Sequence, residues 1–257
     1  MAEATGSEQP PQIEIQIDIL AIAAHRDDVE QTCGGTLLKM AALGWRTGIL
    51  DLTQGESGTR GTAAERAAEA AEAARILGVR WRSALDLPDG RVENTWDNRL
   101  KIAAVLRQLR PRVVILPYWQ GRHPDHYTAS ILGYEACFVS GLAKVETPSQ
   151  RSGATAAPHR PFKILYASLY ADVRPSFVVD ITAHIERRFD SLMAYKSQYA
   201  NQAQGSDLFV QHEDIRERTF SLARTYGLLG GVRYAEPFVQ KEVGLAEDLM
   251  MLPVQSI

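Results

Sequence analysis

The residues Ile17-Asp18-Ile19-Leu20-Ala21-Ile22-Ala23-Ala24 form an almost unbroken apolar run that ends abruptly in His25-Arg26-Asp27-Asp28, with Glu30 close behind. Upstream, Ile13, Ile15, Ile17 and Ile19 alternate with polar residues. Alternation passing into a continuous apolar run marks a strand that enters a sheet buried on both faces. Such a strand needs cover on each side, which points the chain toward α/β architectures. The polar cluster then falls at the carboxyl end of the first strand. Adjacent carboxylates raise each other's pKa. A fold that keeps Asp27 and Asp28 beside a histidine is therefore expected to place a cation there, and a divalent metal is the first expectation.

The remainder continues the alternation of strand and helix. A helix is expected from Gly34 to Leu43, a strand over Trp45 to Leu52, and a helix opened by a Thr62/Glu65 capping box and closed at Leu77-Gly78. Val79 to Leu85 reads as a strand, Asp97 to Arg110 as a helix stopped by Pro111, and Val113 to Leu116 as a buried strand. Pro124 opens a helix toward Leu142, Lys163 to Tyr170 and Ser176 to Ile181 read as strands, Thr182 caps a helix through Tyr199, and Asp207 to Tyr226 holds another. The expected fold is a single-domain, Rossmann-like, doubly wound α/β protein with a mostly parallel sheet. Residues 1–12 read as a flexible polar tail, 13–257 as the domain, and 147–161, rich in Ser, Ala, Pro and Gly, as a surface loop.

Bulk properties narrow the function. A formal net charge of -3 with interleaved signs offers no basic face for nucleic acid or an anionic membrane. The start of the chain lacks the features of a signal peptide, and no window has membrane-spanning length. Two widely separated cysteines, Cys33 and Cys137, fit a reducing cytoplasm rather than a disulfide framework.

A second cluster, Arg122-His123-Pro124-Asp125-His126, follows the strand at Val113 to Leu116 as the first follows its own. Proline suits the first position of a helix, so His123 and His126 can share a face across a helix start. A Pro-Asp-His turn by itself is an ordinary capped helix start. Two such clusters at the carboxyl ends of separate strands lie where open α/β sheets bind ligands. Histidines with one carboxylate suit zinc, and a zinc-bound water, acidified to a pKa of roughly 7, is a usable nucleophile. A carboxylate outside the ligand set then serves as base. A remaining histidine, made cationic by a neighbouring carboxylate, serves the oxyanion. The chemistry indicated is metal-assisted hydrolysis of an amide or ester. Gly55, Gly58 and Gly61 lack the Lys-Ser/Thr of a phosphate loop, and their segment reads as a flexible substrate loop. Cys33 reads as a core residue, and His159, His184 and His212 as surface or packing residues.

These residues resemble the PIG-L/LmbE-like zinc-dependent N-deacetylases, whose signature is Ala-His-Pro-Asp-Asp-x-Glu with a distant His-x-x-His. Here the matching stretches are Ala24-His25-Arg26-Asp27-Asp28-Val29-Glu30 and His123-Pro124-Asp125-His126. Thr53 to Thr62, Leu87-Pro88-Asp89-Gly90, Pro117-Tyr118-Trp119 and Tyr195-Lys196-Ser197-Gln198 are similar to the branch that deacetylates N-acetylglucosaminyl malate in bacillithiol synthesis. The resemblance implies one zinc per chain held by His25, Asp28 and His126, although such ligands also accept ferrous iron, cobalt or nickel. It implies Asp27 as general base, His123 as oxyanion stabiliser and acid, and Asp125 as the carboxylate orienting His123. Arg66, Asp89, Arg122 and Gln198 match substrate-contacting positions, and a homo-oligomer, often a hexamer, is implied. Other substrates within reach are a mycothiol precursor, a chitooligosaccharide or an antibiotic precursor. A non-catalytic metal-binding protein is the other class. Arg26 departs from the motif, which has proline there.

Overall fold

The structure is a computed structural model, and it describes residues 15–151, 156–168, 173–199 and 212–254. The expected tail at 1–12 lies outside them. In chain order the elements are β1 (Ile19–Ala23), α1 (Asp28–Thr32), α2 (Gly34–Ala42), β2 (Thr47–Asp51), α3 (Ala63–Leu77), β3 (Trp81–Ala84), α4 (Trp96–Leu109), β4 (Val113–Pro117) and α5 (Pro124–Ser140). There follow α6 (Pro148–Arg151), β5 (Lys163–Ala167), β6 (Phe177–Asp180), α7 (Ile185–Met193), α8 (Lys196–Tyr199), α9 (His212–Leu229) and β7 (Ala235–Val239).

The sheet order is β3-β2-β1-β4-β5-β7-β6. The pairs β2/β3, β1/β2, β1/β4 and β4/β5 are parallel, while β7 runs antiparallel to both β5 and β6. β1 is wholly buried, as its apolar run demands. Ile22, Leu50 and Leu116 pack on one face of the sheet against Leu106 and Leu132. Ala21, Ile49 and Ile115 pack on the other against Leu37 and Leu77. The chain winds from β1 toward β3 in one direction and crosses back to β4 on the other side of β1. The order therefore reverses between β1 and β4, the place where open α/β sheets form a ligand crevice. Both histidine clusters follow those two strands.

Local signals mark several boundaries. Thr62 and Glu65 make the expected capping box on α3, and Gly78 closes it with φ 69°, a left-handed conformation that glycine adopts without a Cβ clash. Pro124 sits at the start of α5, with His123 as its cap.

Four expectations change. The turn before the Gly34 helix is itself helical, because Asp28–Thr32 forms α1 and Cys33 (φ -138°) separates it from α2. The single helix expected from Thr182 to Tyr199 is two. His184 rather than Thr182 is the cap residue, and the chain breaks at Ala194-Tyr195. Thr182 instead exchanges hydrogen bonds with Asp180 and Tyr234. β7 had no strand signal, since Ala235-Glu236-Pro237-Phe238-Val239 carries a buried acid and a proline. Tertiary contact accounts for it: Glu236 accepts from the Gly35 and Thr36 amides (2.8 and 2.6 Å) and meets Arg188 Nε at 3.1 Å. A buried carboxylate thus faces the N-terminus of α2, where unpaired amides and the helix dipole favour a negative charge. Within 147–161, α6 is held to the body by Gln150, whose Oε1 accepts from Thr147 N–H (3.0 Å) and from buried Arg107 (2.6 Å).

Candidate metal centre

β1 ends at Ala23, and the chain turns through His25 to Asp27 into α1. The His25 N–H donates to Asp28 Oδ2 (2.9 Å), which fixes that carboxylate against the turn. From the β4 side, the first turn of α5 brings His126 across. His25 Nδ1 lies 3.2 Å from His126 Nε2 and 3.5 Å from Asp28 Oδ2, and His126 Nε2 lies 3.1 Å from Asp28 Oδ1. Three ligands around a tetrahedral zinc with bonds of about 2.0–2.1 Å are separated by about 3.3–3.4 Å. The spacing of these donors therefore fits a small divalent ion.

His25 also belongs to two other close groups, one with His123 and His126 and one with Asp89 and Asp125. In the latter, His25 Nε2 is 3.2 Å from both Asp125 Oδ2 and Asp89 Oδ1. Asp125 is itself fixed in place, accepting from Gly90 N–H (2.8 Å) and Val92 N–H (3.1 Å). An imidazole with one nitrogen on a carboxylate and the other toward paired donors has the arrangement of a metal ligand oriented from behind.

Electrostatics follow from this crowding. Burial opposes charge on His25, but the Asp28 charge and hydrogen bonds to Asp125, Asp28 and Asp89 outweigh it and push its pKa up to about 12. Burial likewise opposes the Asp28 carboxylate, yet His126 and His25 hold it well below the usual range. His126 is raised, with Asp28 overcoming its burial. His123 is lowered by burial and by the neighbouring His25 and His126.

Asp27 is held by a different set of partners. Its Oδ2 accepts from Tyr199 Oη (2.6 Å) and Gln31 Nε2 (3.2 Å), and its Oδ1 lies 3.4 Å from Arg66. Tyr199 and Gln31 also line a larger cavity, about 160 Å³, that extends toward α9 and away from the paired histidines. Sequence reasoning missed Tyr199 because no spacing rule links it to Asp27, 172 positions away.

Several expected placements shift. The Asp125 carboxylate meets His25 rather than His123; only its backbone N–H reaches His123, at Nδ1 (3.2 Å). The helix start brings that amide to the ring; the charges of Asp125 and Asp28 favour the cationic ring but are outweighed by its burial and by His25 and His126. Asp89 contacts His25 and the Ser57 N–H (3.0 Å). Arg66 is buried against Asp27 and the Gly55 carbonyl (3.4 Å). Gly55, with φ 73°, leaves space for that guanidinium, since a Cβ there would lie 2.3 Å from Arg66 Nη1. Gln198 donates to the Arg60 carbonyl (2.7 Å), and Arg122 is exposed. Rather than hanging free, the glycine loop is tied to the Asp89 turn through Glu56 and Ser57. Arg26 is buried and donates to Ala63 O (2.8 Å), while Arg82 and Tyr195 both donate to its carbonyl. Cys33 is buried, and its thiol is pushed up by burial, away from nucleophilic use.

The family profile described as PIG-L, GlcNAc-PI de-N-acetylase, matches residues 20–137. A diacetylchitobiose deacetylase of Thermococcus kodakarensis is 31% identical over 233 residues, covering 85% of this chain and 80% of that one. The conserved protein TT1542 from Thermus thermophilus matches with a TM-score of 0.80 and 39% identity, over 91% of this chain and 99% of that one. The N,N'-diacetylchitobiose deacetylase from Pyrococcus horikoshii matches with a TM-score of 0.75 and 27% identity, over 86% and 82%. Shared sequence across most of the chain, on the same fold, shows that the protein belongs to the PIG-L family.

Proposed function

We propose that this protein is a metal-dependent amidohydrolase that removes the acetyl group from an N-acetylglucosamine-type substrate, leaving acetate and a free amine. The observation that carries this reading is the triad of His25, Asp28 and His126 with mutual donor distances of 3.1–3.5 Å beside a separately held Asp27. The named activity of the 31% identical relative supports it. A divalent cation, zinc in the first instance, would be held by that triad and would supply carbonyl polarisation and acidification of a water.

The chain's own residues then divide the work. Asp27 receives the proton of the attacking water at its carboxylate, which Tyr199, Gln31 and Arg66 hold in place. His123 accepts the Asp125 amide at Nδ1, which leaves its proton on Nε2. That N–H is available to the oxygen on which negative charge develops, and the proton taken up by Asp27 passes on to the leaving amine. Asp125 and Asp89 orient His25 from behind. Among the expected substrate contacts, Arg122 is the exposed one; Arg66, Asp89 and Gln198 are engaged by Asp27, His25 and the Arg60 carbonyl, respectively.

The finer reading taken from the motifs is N-acetylglucosaminyl malate, the bacillithiol precursor. A second, a chitooligosaccharide, is favoured by the diacetylchitobiose deacetylase likeness. Amine release from N-acetylglucosaminyl malate, N,N'-diacetylchitobiose and a mycothiol-type pseudo-disaccharide separates these readings. Metal-loaded protein that hydrolyses none of them would make this a non-catalytic metal binder. The reading includes a cytoplasmic setting, with two buried free thiols in accord, and a homo-oligomer.

A further inference from the structure

A small cavity of about 30 Å³ opens beside Asp28 and His126 at the carboxyl ends of β1 and β4. Ala23, Val29, Cys33, Ile115, Tyr118 and Ala167 line it, with Gln31 and Thr32 as its other polar neighbours. Val29, Cys33, Ile115 and Ala167 are nearly sealed from solvent and belong to the core layer between the sheet and the first two helices. Close packing makes such walls costly to displace. The volume is roughly two to three times the least that holds one water, room for a group of one or two carbons and too little for a sugar ring. Its mostly apolar walls suit a methyl better than a hydroxyl-rich group.

We propose that this cavity receives the methyl of the substrate's acyl group and limits acyl length, admitting formyl and acetyl and excluding butyryl. The occupant rests on the deacetylase reading. An amide carbonyl placed at the His25/Asp28/His126 triad has two substituents, nitrogen and the acyl carbon chain. The sugar on nitrogen needs the open side, so the acyl chain takes the closed one. A misfit methylene at an apolar wall changes selectivity by about 10- to 200-fold.

Two measurements test this. The first compares kcat/KM for N-formyl-, N-acetyl- and N-butyrylglucosamine in the wild type, Val29→Ala and Ala167→Val, with thermal melts to verify folding. The wild type should prefer acetyl over butyryl by at least about 100-fold. Val29→Ala should narrow that ratio at least tenfold, and Ala167→Val should disfavour acetyl relative to formyl. Equal wild-type rates on acetyl and butyryl, or unchanged ratios in both folded variants, would overturn the proposal. The second measures binding of acetate and butyrate to the zinc-loaded protein by calorimetry, which needs no turnover. Acetate should bind and butyrate should bind at least tenfold more weakly, with the gap narrowed in Val29→Ala. Equal binding of the two overturns the cavity's role. Absent hydrolysis with selective acetate binding would overturn the deacetylase reading and leave the cavity's role standing.

Discussion

Asp27 and Asp28 are adjacent in sequence and have opposite surroundings. Asp28 meets two imidazoles; Asp27 meets a phenol, an amide and a guanidinium. The proposed division of labour predicts different losses. Asp27→Ala should retain zinc and lose about 10²–10⁴-fold in kcat, the usual range for a missing base. His25→Ala should lose zinc, as metal analysis after dialysis would report. Near-normal turnover by Asp27→Ala would remove it as the base. The raised His25 pKa carries a second prediction. Its metal-free value of about 12 lies above the ordinary 6.5, so the ring holds its extra proton at neutral pH. Coordination needs the neutral ring, so zinc uptake at pH 7 should release at least one proton. Zinc affinity should then rise with pH, by about tenfold per unit for each proton displaced. Calorimetry in buffers of different ionisation enthalpy measures this, and pH-independent uptake would contradict it. Arg26, the departure from the motif, turns its charge away from Asp27 onto Ala63 O, while its carbonyl is gripped by Arg82 and Tyr195. Contacts thus hold the turn where proline would have stiffened it. Sequence showed the substitution but not the direction of the side chain.

Among the elements, the first strand and the capped helices were legible because their signals are local: an apolar run, a capping box, a glycine at a left-handed position, a proline at a helix start. The elements that escaped are defined by distant partners. α1 is one short turn whose residues are spent on the site, and β7 contains Glu236 and Pro237, neither a strand signal. Glu236 belongs in a strand here because it meets the amides of α2, 200 and 201 positions earlier, and Arg188. Glu236→Ala should strip buried Arg188 of its carboxylate, leaving it only the Glu30 and Gln31 carbonyls, and leave those amides unpaired in the interior, at a cost of about 3–5 kcal/mol. Denaturant unfolding measures the loss. A change below about 1 kcal/mol, the scale of an exposed pair, would show that the contact contributes little.

At the scale of the molecule, no helix among the described residues is long and apolar enough to cross a membrane. α5 instead presents Tyr127, Ile131, Tyr134 and Phe138 to solvent, 41%, 47%, 40% and 55% exposed. These recur at i, i+4, i+7 and i+11, so they form one stripe along the helix. Aromatic side chains are favoured in the cores of protein interfaces. The homo-oligomer in the proposed reading therefore predicts a solution mass above that of one chain by light scattering. Phe138→Glu should lower that mass without unfolding the protein. A wild-type monomer at micromolar concentration would remove the oligomer from the reading.

Local chemistry determined where the strands begin, that the sheet is mostly parallel, and that two histidine clusters stand at strand ends. Periodicity, caps and breakers act over a few residues and can be read without coordinates. Only the tertiary structure decided which nitrogen of His25 faces His126, that Asp125 supports His25 rather than His123, and that Arg66 is occupied by Asp27. Those choices depend on how segments separated by about a hundred residues pack around the switch between β1 and β4, and no local propensity encodes that packing.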